Sequence, residues 1–385
     1  MSDKIQRRDF LKGAVTGAGI GVLGAMGLYS YSDSRKALFS KQERKMTDIG
    51  TCRKVKVTNI SETSWFDNQT LVGDIKGAGG LLVDQYSYNW PPFGNGKGLG
   101  KGSYEEGIAL IKDLLPHDLE KAWELSQKNS VNPENAGGYS CLLEVEELSG
   151  NTRKFLLDSG WSYKWMDECF KREGIDKMLL NREIEALFIS HEHFDHYWGL
   201  PVTLKYDPTI TIYIPEGFYP EGKQYIKDAG HQGKLVEVKS GLSKHIPGMA
   251  SYVFPIPIIC RVYGEQSLYF NIKDKGLVSV TGCCHQGIIR FAETAYNELK
   301  YENDKCHGIY GGLHISPFDD WDPKYDDLVI SLERYGFERI GCNHCTGVLC
   351  AKKFITAGYP VIEGTARFRS QDKAYLGNGD TITFG

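Results

Sequence analysis

The chain has 385 residues, enough to bury a large core and, by length alone, enough for two domains. With 41% hydrophobic and 24% charged residues it has the composition of an ordinary globular protein. The formal net charge is −4 and the basic residues are scattered rather than striped between aromatics, so no nucleic-acid partner is expected.

The first thirty residues stand apart. A charged segment, Met1 to Lys12, leads into an apolar, glycine-rich run from Gly13 to Ser30, the pattern of an export leader. Arg7-Arg8 followed by Phe10-Leu11-Lys12 resembles a twin-arginine signal. The expectation is a leader over residues 1–32, a periplasmic or otherwise exported protein, and the twin-arginine export machinery as a partner. No A-x-A cleavage site stands out near Ser30-Tyr31-Ser32, which leaves open a membrane anchor formed by an uncleaved leader. Gly19, Gly21 and Gly24 spell G-x-G-x-x-G, but no strand precedes them, so they read as leader composition. Ten cysteines are too few for a disulfide scaffold in a chain of this length.

After the leader, residues 50–385 read as one α/β domain. Strands are predicted at Lys54 to Asn59, Ser140 to Glu144 and Lys154 to Leu157, the last running into Asp158-Ser159-Gly160. A helix follows from Tyr163 to Arg172, stopped by Gly174. Ala186 to Ser190 is a compact apolar strand. Further strands fit Thr209 to Ile214, Tyr252 to Phe254, Ser267 to Ile272, Leu277 to Thr281, Gly308 to Tyr310, and a short one near Arg339 to Gly341. A helix from Pro323 to Tyr335 is signed by Asp322 before it and Gly336 behind it. This alternation gives an α/β protein with enough strands for two sheets.

An insertion at about residues 62–138 breaks the rhythm. It holds Trp90-Pro91-Pro92-Phe93, a glycine-rich loop from Gly94 to Ser103, and two helical segments divided near Pro116. A lid over a site and a surface ornament are equally compatible with it.

The strongest chemical signal is His191-Glu192-His193-Phe194-Asp195-His196. Three imidazoles and a carboxylate at the end of a buried strand are costly unless a cation holds them together, and imidazole suits zinc, iron, copper or nickel. This H-x-H-x-D-H motif, with Trp198-Gly199-Leu200 behind it and Asp158-Ser159-Gly160 ahead of it, resembles the metallo-β-lactamase superfamily. The resemblance implies an αββα sandwich (the metallo-β-lactamase fold). It also implies one metal on His191 and His193 and a second on Asp195 and His196. Three later segments, Thr281-Gly282-Cys283-Cys284-His285-Gln286-Gly287-Ile288, Gly311-Gly312-Leu313-His314 and His344-Cys345-Thr346-Gly347, are similar to a branch of dihydropterin–ribofuranosylaminobenzene phosphate synthases and related hydrolases. His285 and His344 each follow a predicted strand and are placed to complete the two ion sites.

The superfamily's bridging aspartate has no counterpart before Gly311-Gly312. His314 stands two residues on, able to bind metal, hold substrate or donate a proton. The implied cofactor is Zn2+, two ions, with iron or manganese as alternatives. A metal in such a site lowers the pKa of a bound water from 15.7 towards roughly 7. The leading function is therefore hydrolysis of an ester, lactone or phosphoester bond in a small-molecule substrate, with Asp195 and His314 as catalytic residues. Asp195 would orient the water and His314 would steady the oxyanion or leaving group. The alternatives are transferase chemistry on a pterin and a non-catalytic metal-binding or sensing module. A di-iron redox site of the flavodiiron type would carry Glu where this chain has His193.

The remaining candidates read as structural. His117 and His231 are expected at the surface, His245 on a solvated loop, and His307 in a structural role. Cys283, Cys284, Cys342 and Cys345 are expected to be small packing residues around the site.

Overall fold

The computed structural model describes residues 46–63, 137–258, 262–317, 321 and 323–385. The leader, nearly all of the insertion, His117 and the helix cap Asp322 lie outside the described residues.

Fifteen strands are described. They are β1 (Thr47–Asp48), β2 (Cys52–Ser61), β3 (Ser140–Glu147), β4 (Thr152–Leu157), β5 (Ile184–Phe188), β6 (Thr211–Pro215), β7 (Leu235–Val238) and β8 (Gly241–Ile246). Then come β9 (Met249–Ile258), β10 (Val262–Ile272), β11 (Gly276–Thr281), β12 (Leu299–Lys300), β13 (Cys306–Gly312), β14 (Arg339–Asn343) and β15 (Thr381–Phe384). The helices are α1 (Tyr163–Glu173), α2 (Ile175–Leu180), α3 (Phe194–Tyr197), α4 (Leu200–Tyr206), α5 (Pro220–Asp228), α6 (Ile288–Glu298), α7 (Lys324–Ser331) and α8 (Val348–Thr356).

The main strands form two sheets. One runs β15-β2-β3-β4-β5-β6-β7 and the other β8-β9-β10-β11-β13-β14. They touch through a single backbone pair, Ile272 with Cys52, at one corner. In each sheet the hairpin-connected strands are antiparallel, and the strands joined through helices, β4 to β7 and β11 to β14, are parallel.

Alternation along the strands makes the layers. On β4, Phe155 and Leu157 point between the sheets, while Leu156 points out to the helices. On β5, Ala186 and Phe188 face in and Leu187 faces out. In the second sheet Leu268, Phe270, Val278 and Val280 face in, and Tyr269 and Leu277 face out. The outward residues of the first sheet meet Met166, Phe170 and Leu179 of α1 and α2 and Leu204 of α4. Those of the second meet Phe291, Leu328 and Phe354 of α6, α7 and α8. The result is helix, sheet, sheet, helix. Each fully buried large apolar side chain contributes about 1.5–3 kcal/mol, so the filled inter-sheet layer fixes the register of both sheets.

The expected strands recur, mostly longer than predicted. Gly174 ends α1 in the left-handed region at φ 72°, and Gly336 does the same, at φ 61°, for the 3-10 turn Leu332–Tyr335 that extends α7. His245 differs from expectation. It lies on β8, half-buried, its ring edge-on to Phe188 and Tyr213 and its Nε2 2.8 Å from Ser251 Oγ. Gly-Leu-Ser-Lys-His-Ile has no clean alternation, so β8 shows itself only through pairing with β9.

Candidate metal centre

The candidate donor residues sit just past strand ends, where loops carry function on a rigid frame. Asp158 follows β4, and His191 to His196 follow β5 and run into α3. Cys283 to His285 follow β11, His314 follows β13, and His344 follows β14. Four of these residues hold backbone conformations that side chains seldom adopt: Asp158 (φ 63°), Cys284 (φ 67°), His314 (φ 43°) and His344 (φ 49°). Such strain of about 1–3 kcal/mol per residue collects where the surroundings over-determine a functional geometry.

Two triads of donor atoms result. His191, His193 and His285 form one; Asp195, His196 and His344 form the other. In the first, His191 Nε2 and His193 Nδ1 are 3.0 Å apart. In the second, His344 Nε2 lies 3.2 Å from His196 Nε2 and 3.4 Å from Asp195 Oδ2. Nitrogen donors around one tetrahedral ion, each about 2.0–2.1 Å from it, stand roughly 3.3 Å apart. The observed spacings fit donors converging on a shared cation. His314 adds to this: it is 3% exposed, 4.4 Å ring to ring from His285, and neither ring nitrogen has a hydrogen-bond partner among the described residues. The residues present therefore fit a metal pair.

The protein fixes the opposite edges of the rings. Asp158 Oδ1 accepts from Ser190 N at 2.6 Å, and Oδ2 accepts from the Ser190 hydroxyl and His196 Nδ1, both at 2.7 Å. With its proton committed to Asp158, the Ser190 hydroxyl accepts from His191 Nδ1 at 2.8 Å. That network assigns the protons of His191 and His196 to Nδ1 and leaves each Nε2 lone pair facing the site. His344 Nδ1 donates to the Glu62 carbonyl, and its backbone N–H donates to the Glu62 carboxylate, both at 3.2 Å. Glu265 accepts from the N–H groups of Cys284 at 2.8 Å and His285 at 2.6 Å, and its carboxylate lies 3.3 Å from His285 Nδ1.

Electrostatics follow from burial and crowding. Burial, with the neighbouring imidazoles behind it, holds His191 and His314 well below the usual histidine range. Burial pulls His344 the same way, but its hydrogen bond to Asp195, the Cys345 and Asp195 charges and the bond to Glu62 together outweigh this and lift it to about 9. Burial also works against the Asp195 carboxylate, yet His196 and His344 hold it below its ordinary value. Burial pushes Glu62 up to about 7, against the hydrogen bonds from Ser370 and His344.

All seven residues predicted for the site, His191, His193, Asp195, His196, His285, His314 and His344, come together within this region. Other expectations divide. His307 is buried on Glu338 at 2.8 Å, a structural role, and His231 is only half-buried, bonding the Ile210 carbonyl. Cys283 departs from simple packing: its Sγ lies 3.2 Å from His196 Nε2 and 3.2 Å from Cys345 Sγ. The nine described cysteines are all free thiols. Sequence reasoning missed Glu62, Ser190 and Glu265. A buried carboxylate on a strand, such as Glu265 on β10, was the signal available for the last of these.

Residues 138–263 match the sequence model of the metallo-beta-lactamase superfamily. That segment carries the entire H-x-H-x-D-H cluster and the first sheet's parallel strands. Over that segment the chain is similar to the superfamily, and its helix, sheet, sheet, helix layering is an αββα sandwich. Among curated proteins it is 22% identical over 255 residues to the 7,8-dihydropterin-6-methyl-4-(beta-D-ribofuranosyl)-aminobenzene-5'-phosphate synthase of Methanocaldococcus jannaschii, covering 57% of this chain and 83% of the relative. Among solved structures it is similar to Tm1679, a metal-dependent hydrolase of the beta-lactamase superfamily, at 19% identity and TM-score 0.45, covering 64% of this chain and 91% of that one. Zn2+-bound PqqB from Methylobacterium extorquens is also similar, at 11% identity and TM-score 0.42, covering 80% and 97%.

Proposed function

We propose that this protein is a metal-dependent hydrolase acting on an ester, lactone or phosphoester bond of a small molecule, with two zinc ions as the resident metals. The observation that carries the reading is the pair of donor triads, His191–His193–His285 and Asp195–His196–His344, spaced as ligands are around tetrahedral ions. When bound, the metals supply a water acidic enough to attack at neutral pH and polarise the oxygen under attack.

The chain's own residues do the rest. Asp195, held as a carboxylate by His196 and His344, offers an acceptor that orients the attacking water. His314, neutral and with both ring nitrogens uncommitted to hydrogen bonds among the described residues, sits beside His285 to steady the oxyanion or the leaving group. Asp158, Ser190, Glu62 and Glu265 fix ring orientations and thereby keep lone pairs aimed inward. Among the imidazoles of the site, His193 alone is only half-buried.

The test is metal analysis with turnover of a panel of lactones, aryl esters and phosphodiesters by the purified chain. His191→Ala and Asp195→Ala are each expected to lose metal and activity together. Full metal content and full activity in either variant would sink the reading. Group transfer on a pterin is the second reading, supported by the similarity to the Methanocaldococcus jannaschii synthase. Turnover of a pterin pyrophosphate, with no hydrolysis of the panel, would favour it. We also propose export by the twin-arginine route, on Arg7-Arg8 and the apolar run behind them. Loss of export on Arg7→Lys with Arg8→Lys would support that, and unchanged export would refute it.

A further inference from the structure

The two triads share no residue, yet one side chain borders both. The Cys283 sulfur lies within 4.8 Å of the ligand nitrogens of His191 and His196, of His285 and His314, and of His344. Its neighbours thus include two members of the first triad and two of the second. Its distance to His196 Nε2 is 3.2 Å. A sulfur and a nitrogen bound to one tetrahedral ion, at about 2.3 and 2.0–2.1 Å, stand roughly 3.5 Å apart. The thiol is 3% exposed, so it has no role at the surface. Its neighbour Cys284 bonds Glu265 through its backbone N–H, which helps to fix the turn that carries Cys283.

We propose that Cys283 is a thiolate ligand shared by both metal ions, the single side chain that joins the two triads into one dinuclear centre. This rests on the two-metal reading above and adds to it a seventh, bridging donor. Two ions about 3.5–4 Å apart are the spacing of dinuclear hydrolytic sites, and one sulfur about 2.3 Å from each spans that gap. On coordination the S–H bond breaks, the proton leaves to solvent, and two sulfur lone pairs form the two sulfur–metal bonds. No oxidant or reductant is required. Cys345 then has a positioning role: its sulfur lies 3.2 Å from the Cys283 sulfur and 3.5 Å from the Cys283 carbonyl, within reach to donate its S–H to a bridging anion. His314, buried with both ring nitrogens free of hydrogen bonds among the described residues, has a ring nitrogen within 4.8 Å of the same sulfur.

The test uses the full chain loaded with cobalt(II) for absorption and with cadmium-113 for magnetic resonance. Wild type is expected to show a near-ultraviolet sulfur-to-cobalt charge-transfer band and two cadmium resonances, both shifted downfield by sulfur. Cys283→Ser is expected to lose the band and both shifts. Cys345→Ala is expected to keep them, which excludes Cys345 as the source. The wild-type spectra stand by themselves if Cys283→Ser fails to fold. Cobalt bound with no charge-transfer band overturns the thiolate ligand while leaving the metal reading intact. One shifted cadmium resonance beside one unshifted overturns the bridge. A Cys283–Cys345 disulfide in the metal-loaded protein does the same. Failure to bind either metal overturns both readings.

Discussion

The carboxylate of Asp158 lies 2.7 Å from Nδ1 of His196, across 38 residues of sequence, and both side chains are fully buried. Burial pushes Asp158 up, while His196 and the Ser190 donors pull against it. The acceptor holds the ring so that Nε2 faces the site, and the same carboxylate reaches His191 through the Ser190 hydroxyl. One residue therefore orients a ligand in each triad. Asp158→Asn tests this cleanly, because Asn tolerates the left-handed backbone at φ 63°. The expected outcome is an intact fold with metal affinity reduced about 10- to 100-fold, the usual cost of losing such an outer partner. A competitive chelator titration measures it, and unchanged affinity would show that His196 needs no anchor.

Gly282 reports on the same network by steric means. A Cβ there would meet Ser190 Oγ at 2.5 Å and Asp158 Oδ2 at 2.6 Å, and both atoms are already committed to hydrogen bonds. Gly282→Ala is expected to cost about 1–3 kcal/mol of stability through overpacking and to weaken metal binding as Asp158 moves. Gly336→Ala is the control. It has the left-handed backbone at φ 61° but nothing within 4 Å of its added methyl, so it should lower stability without touching metal affinity. Equal metal affinity in the two variants would argue that the Asp158–Ser190 arrangement is not needed.

The cluster of candidate donors was legible because its chemistry is local. Six residues, His191 to His196, carry four donors on one turn, and His285, His314 and His344 each follow a strand recognisable from its apolar run. The residues that aim those rings were not legible. Glu265 reaches His285 across a strand pair from 20 positions away and Glu62 reaches His344 across the two sheets from 282, and no spacing in a sequence encodes either contact. Cys283 was obscured for a different reason. A buried free cysteine is ordinarily a small hydrophobe, and its environment becomes polar only when the loops after β5, β11 and β14 converge. The short edge strands β7 and β8 lacked alternation, so His245 was expected in solvent rather than against Phe188.

That burial of His245 has a consequence for pH. Its folded-state pKa is depressed by desolvation to about 4, against about 6.5 for an ordinary histidine. Its surroundings are the Ser251 hydroxyl and the Phe188 and Tyr213 rings, with no carboxylate bonded to it among the described residues to offset the loss of water. A group with a depressed folded pKa binds protons more readily when unfolded. Its contribution is complete above pH 6.5 and is lost as pH falls towards 4, up to about 3 kcal/mol in total. His245→Gln, which keeps a donor for Ser251, is expected to flatten the stability profile between pH 6.5 and 4. Urea unfolding at several pH values measures this, and an unchanged slope would mean that other groups carry the acid sensitivity.

Metal removal tests the centre as a whole. His191 Nε2 lies 3.0 Å from His193 Nδ1, and His344 Nε2 lies 3.2 Å from His196 Nε2, so a cation held among these donors stabilises the folded state that assembles them. Ligand bound to the native state alone adds about 4 kcal/mol when present at a thousand times its dissociation constant. For a domain of this size that corresponds to roughly 5 °C or more in melting temperature. Exhaustive chelation is expected to lower the melting point by that amount, and two equivalents of zinc are expected to restore it. A melting point indifferent to chelator and zinc would mean that the clustered donors are held by the fold alone and that the centre binds no metal tightly.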